Sequence, residues 1–136
     1  MASVLSPLAR ELIERPVLAS LATLNADGSP QTSPLWIDLD GDNVVFNTAQ
    51  HRVKARNMRR DPRVAATVID PDDAYNVVAF RGTVVDITTA GADAHIDWLA
   101  HKYLGVDSYP NRRPDEVRIR VTVRTDHIAM QPNETP

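Results

Sequence analysis

Val17-Leu-Ala-Ser-Leu-Ala-Thr-Leu24 is a short, almost unbroken apolar run, and Asn25-Ala-Asp-Gly-Ser-Pro30 follows it with residues that each favour a turn. The pair predicts a strand and a tight turn. From Gln31 to Leu39 the chain stays extended, with Leu35, Ile37 and Leu39 alternating against Trp36 and Asp38, until Asp40-Gly41 supplies a second hairpin-type turn. Asn43 to Thr48, carrying Val44, Val45 and Phe46, completes a three-stranded meander. Two further β runs, Arg63–Asp70 and Asn76–Ile87, flank an acidic turn at Pro71–Tyr75. Gly82 inside the second marks a bulge or bend, which closing a small barrel requires. Glu116 to Arg124 alternates most cleanly, predicting Val117, Ile119, Val121 and Val123 inward and Arg118, Arg120 and Arg124 outward.

Three helices interrupt these strands. Pro7–Glu14 forms a short one, and Ala92, Ile96, Leu99 and Tyr103 give Ala90–Leu104 a single buried stripe. The third is His51–Arg60, with Asn47 or Thr48 as its cap, Gln50 three after Asn47, and Asp61-Pro62 as its stop. A parallel sheet needs a long crossover after each strand, and these turns are too short. The expected fold is therefore mainly β (α+β), a six-stranded antiparallel barrel with peripheral helices. The tail from Gln131 is expected to fray.

Composition narrows the functions. At 136 residues and 43% hydrophobic, the chain reads as one domain over residues 1–136. It holds no apolar run of transmembrane length, and its N-terminus lacks a secretory pattern, which predicts a cytoplasmic protein without membrane contact. The absence of cysteine removes disulfides, thiolate metal sites and cysteine nucleophiles. His51, His95, His101 and His127 show no paired ligand spacing, so no metal site is expected. Nucleophile elbows and glycine-rich phosphate loops are missing, and Asp72-Asp73 sits in a polar turn where solvation explains it. No catalytic side chain is identifiable, so if the chain is an enzyme its chemistry resides in a bound cofactor.

One segment stands against the net charge of −3: His51–Arg60 holds four arginines and a lysine. On a helix, Arg52, Arg56, Arg59 and Arg60 share an arc of about 100°, a solvated polar face. Lys54 lies instead on the side of Met58, next to Asn57. It either snorkels outward past Met58 or reaches an anion held between helix and sheet. A helix start attracts anions through its free amides and dipole, and cations there are unfavourable for the helix itself. The negative net charge and the scarcity of outward aromatics argue against nucleic acid.

The stretches LASLATLNADGSPQTSPLWIDLDG, VVFNTAQHRVKARNMRRDPRVAATVID and VVAFRGTVVDI resemble the split β-barrel superfamily of pyridoxamine 5'-phosphate oxidases and flavin or deazaflavin oxidoreductases. The middle stretch, with its Arg-x-Lys-x-x-Asn and Asp-Pro-Arg-Val, is similar to the branch that uses coenzyme F420, the second deazaflavin reductase group. The resemblance implies an FMN-binding split-barrel fold and a homodimer with two cofactor sites at the interface. It implies that Asn47, Arg52, Lys54 and Asn57, with Arg56 nearby, meet the phosphate-bearing side chain of the cofactor. Gln31, Thr32, Ser33 and Leu35 would line the ring system, Tyr75 would pack on the cofactor from the opposite subunit, and Arg112 and Arg113 would meet the oligoglutamate tail. The implied activity is hydride transfer from reduced F420 to an activated alkene, quinone or similar small molecule. FMN is the alternative cofactor, and a non-catalytic carrier the alternative role. The family's B6 oxidases carry a basic C-terminal segment, whereas no cation follows Arg124 here, which argues against vitamin B6 oxidation.

Overall fold

Short turns fold successive runs into hairpins, longer connections bring distant strands side by side, and all six pairings are antiparallel. The structure, a computed structural model, describes residues 3–132. Its elements run α1 (Pro7–Glu14), β1 (Leu18–Leu24), β2 (Pro30–Asp40), β3 (Asn43–Ala49), α2 (Val53–Arg60), β4 (Arg63–Asp70), β5 (Asp73–Thr88), α3 (Ala92–Leu104) and β6 (Arg118–Met130). The sheet closes into a barrel in the order β1-β2-β3-β6-β5-β4. No described helix is long and apolar enough to cross a membrane.

The strand alternation fills the barrel. Leu21, Ile37, Phe46, Phe80 and Ile119 are fully buried, and they join Leu12 and Ile13 of α1 and Met58 of α2 in one core. Burying each such side chain stabilises the fold by about 1.5–3 kcal/mol. Ser6 caps α1, accepting from the Ala9 amide at 3.1 Å and donating to the Pro132 carbonyl at 2.6 Å. Gln131 also accepts from the Ser6 amide, so the chain is held up to Pro132. The expected fraying from Gln131 is thus corrected for these two residues, and 133–136 lie outside the described residues.

Gly82 occupies one of three places where the β5–β6 register shifts. A Cβ there would stand 2.5 Å from the Arg124 carbonyl oxygen and 2.7 Å from Val123 Cγ1. Only a bare α-carbon allows the two strands to approach this closely. At the Asp40-Gly41 turn, the φ of +59° at Gly41 lies in the left-handed region that glycine enters without a Cβ clash.

Three expectations need correction. Asn47 and Thr48 do not cap α2, because both remain in β3, paired with Arg120 and Ile119 of β6. The N-cap is Arg52, without a side-chain cap bond. The acidic turn is shorter than expected, since Asp73 already pairs with Asp70 and Tyr75 belongs to β5. Finally, Val117 is 40% exposed and precedes β6, which runs on to Met130.

The feature that positions the site is a parting of two strands. From the turn at Gly41, the β2–β3 ladder runs only from Asp40–Asn43 to Ile37–Phe46. Beyond that point β2 pairs with β1 alone and β3 with β6 alone. Pro34 stands in the open half of β2, where its lack of an N–H costs no ladder bond.

Candidate functional site

A cleft of about 420 Å³ opens where β2 and β3 part. Leu18, Pro34, Leu35 and Trp36 line one side and Asn47, Thr48 and Arg118 the other, with Arg52 and Lys54 projecting from the start of α2. Ile96, Tyr109 and Asn111 complete it from α3 and the segment that follows.

Three cations converge here. Lys54 is half-buried and donates to Ser33 Oγ at 3.2 Å, the one protein hydrogen bond of its ammonium among the described residues. Burial, and then the charges of Arg52 and Arg118, hold its pKa below the ordinary lysine range. Desolvation and like charge both penalise the protonated amine, so a bound anion would relieve the site. The helix adds to the field, because α2 has neither a capping side chain nor an acidic residue in its first turn. Arg118, 11% exposed at its side chain, is partly offset by Glu116 at 2.6 Å and lies over the Tyr109 ring at 5.2 Å.

The other half of the cleft is aromatic. Trp36 stacks on Tyr103 with centroids 4.8 Å apart and meets Tyr109 edge-on at 6.0 Å. The Tyr103 hydroxyl donates to the Val17 carbonyl at 2.6 Å and accepts from the Ile37 amide at 2.9 Å. Burial pushes its pKa up to about 12, which keeps this donor protonated. Beside it, Lys102 donates to the carbonyls of Ile13 and Ile37 while burial lowers its pKa to about 8. These bonds fix α3 against β2 and thereby hold the Trp36 wall.

Of the residues singled out from sequence, the structure brings Leu35, Asn47, Arg52 and Lys54 together at the cleft, with Ser33 attached through Lys54. Gln31 and Thr32 precede Ser33 on the open half of β2 but do not line the cleft. Arg56 is exposed on the outer face of α2. Asn57 is a buried tie: its Nδ2 donates to Thr23 and Asn25, and its Oδ1 accepts from Arg60. Those bonds fasten α2 to the β1–β2 turn and occupy both hydrogens of the amide. Tyr75, 97% exposed, borders a separate groove beside α1. The cation of that groove, Arg15, is already paired with Asp70 and Asp72. Arg112, 41% exposed at its side chain, is paired with Asp97 at 2.5 Å and Asp93 at 3.3 Å.

Sequence reasoning missed Trp36, Tyr109 and Arg118 as site residues. Arg118 was visible as an outward cation, but the alternation of a strand does not tell what covers that face.

Residues 5–126 match the pyridoxamine 5'-phosphate oxidase family. The chain belongs to this family. Among solved structures it is similar to an F420 reductase, 34% identical over 88% of this chain and 94% of that one, with a TM-score of 0.78. A conserved hypothetical protein of Mycobacterium tuberculosis is 20% identical, covering 93% of this chain and 84% of its own length, with a TM-score of 0.70. The heme-storage protein HutZ of Vibrio cholerae is 15% identical over 92% of both chains, with a TM-score of 0.63. The last two share the fold alone; the first is also similar in sequence.

Proposed function

We propose that this family member is an F420-dependent reductase, and that the cleft between β2 and β3 seats the phosphate-bearing part of the coenzyme. The observation that carries the reading is Lys54: an ammonium whose pKa is lowered first by half-burial and then by the charges of Arg52 and Arg118, and whose protein partner is the Ser33 hydroxyl. The donors present fit a phosphate. Arg52 and Lys54 would hold it with the first amides of α2, and Arg118 would close the far side. Similarity to an F420 reductase favours the deazaflavin over FMN.

Bound reduced F420 supplies a hydride for the electrophilic carbon of an activated alkene, quinone or similar acceptor. The chain's own part is positioning. Leu18, Pro34 and Trp36 offer an apolar wall that a bound coenzyme would cover, while the cations would fix the anionic end and so orient whatever lies between them. A second copy of the chain would complete the site, with its exposed Tyr75 as the packing aromatic.

Fluorescence titration with F420 and with FMN, followed by mixing with reduced F420 and an enone or menadione-like acceptor, tests the proposal. The expected result is saturable F420 binding, no FMN binding, and acceptor-dependent reoxidation of reduced F420. FMN binding without F420 binding overturns the coenzyme assignment. F420 binding without turnover on any acceptor makes the protein a carrier.

A further inference from the structure

Behind the cleft, under α3, a chain of polar groups crosses from β2 to β6. Asp38 Oδ2 lies 3.2 Å from His95 Nε2, and His95 Nδ1 lies 3.1 Å from Asn47 Nδ2. Asn47 Nδ2 also donates to the Ala92 carbonyl at 2.9 Å, and Asn47 Oδ1 accepts from Arg118 Nε at 2.9 Å. The side chain of His95 is 9% exposed and that of Arg118 11%, and Asn47 is buried.

Elementary donor and acceptor rules leave this chain a single arrangement. The Ala92 carbonyl can only accept and the Arg118 Nε–H can only donate, so the Asn47 amide fits one way round. Its second Nδ2 hydrogen then points at His95 Nδ1, which must present a lone pair. The ring proton therefore sits on Nε2 and is donated to Asp38. Were Nδ1 to carry a proton, two donors would face each other at 3.1 Å. Reversing Asn47 would relieve that clash only by setting its NH2 against Arg118 Nε–H and its oxygen against the Ala92 carbonyl.

We infer that Asp38 and His95 are positioning residues which, through Asn47, fix the Arg118 guanidinium at the cleft, and that His95 does so in its neutral, Nε2-protonated form. The inference rests on the reading of the cleft as an anion seat for its functional meaning; the wiring itself stands on the four contacts. Glu116 holds the other side of the guanidinium at 2.6 Å, so Arg118 is gripped at Nε by Asn47 and at Nη1 by Glu116.

Nitrogen-15 NMR of the full chain tests the wiring without any cofactor. In the wild type at neutral pH, the ring signals of His95 should show Nε2 protonated and Nδ1 bare, and Arg118 Nε–H should give a resolved, slowly exchanging cross-peak. His95→Phe should abolish that cross-peak while the amide spectrum of the barrel persists. His95→Asn, which returns an acceptor near the position of Nδ1, should restore it. F420 titration should then weaken by roughly 3- to 10-fold in His95→Phe and recover in His95→Asn, the range for one neutral hydrogen bond. A wild-type ring protonated on Nδ1, or an Arg118 signal and an affinity untouched in His95→Phe, overturns the inference. Should His95→Phe fail to fold, the wild-type ring signals and His95→Asn still decide. If the wild type binds no F420, the coenzyme reading falls, and the NMR signals alone judge the wiring.

Discussion

Lys54→Met separates a functional cation from a structural one, because the two readings give different signs. Among the described residues the ammonium has one protein partner, a hydroxyl at 3.2 Å, and half-burial beside two arginines disfavours its charge. Removing it therefore takes little from the free protein. Met keeps the aliphatic stem, so the expected stability change is within about 0.5 kcal/mol of zero, as for substitutions without a buried partner. Ligand binding should respond otherwise. A charge-assisted hydrogen bond contributes about 1.5–3 kcal/mol, equivalent to roughly a 10- to 150-fold rise in Kd for F420. Thermal or urea denaturation gives the first quantity and fluorescence titration the second. A melting point that falls by many degrees with unchanged affinity would show Lys54 to be a fold-stabilising residue and not a ligand-binding one.

Other expectations follow from the same geometry. F420 affinity should fall as pH rises, beginning below the ordinary lysine range, since the free Lys54 loses its proton early there; titration from neutral to alkaline pH checks this, and Lys54→Arg should be flat over the same window. Gly82→Ala should destabilise the barrel by about 1–3 kcal/mol through overpacking against Arg124 and Val123, measured by urea denaturation. The Arg15 guanidinium, followed by the Asp72 amide and Asn76, holds Asp70 at about 2. Because the folded pKa is depressed, its stabilisation is present above the usual carboxylate range and lost as pH falls towards 2, so acid unfolding curves of the wild type and Asp70→Asn should converge there. Lys102→Met should destabilise by about 1–3 kcal/mol, since two carbonyls, of Ile13 and Ile37, lose their shared donor.

Much of the barrel was legible because its signals are local. Period-two alternation placed Leu35, Ile37, Ile119, Val121 and Val123 inside, and Gly82 marked a place where the β5–β6 register shifts. The errors arose where a distant partner outweighed a local preference. Asn47 and Thr48 look like caps, but their backbones are taken by β6. The helical wheel set Lys54 apart from Arg56 and Arg59, but Arg52, the N-cap rather than a helical residue, joins Lys54 at the cleft, and the wheel could not reveal that Asn57 bonds to Thr23 and Asn25 across a turn. Arg118, Trp36 and Tyr109 meet only because the segment between α3 and β6 folds back over the cleft, and no periodicity encodes that return.

Arg52, Lys54 and Arg118 are proposed as the seat of a phosphate-bearing redox coenzyme, and a crystal structure of the protein with F420 at saturating concentration decides the matter. The coenzyme phosphate should lie within hydrogen-bonding distance of Lys54 Nζ, with Arg52 and Arg118 turned towards it. F420 bound elsewhere, with Lys54 still on Ser33 alone, would rule this seat out.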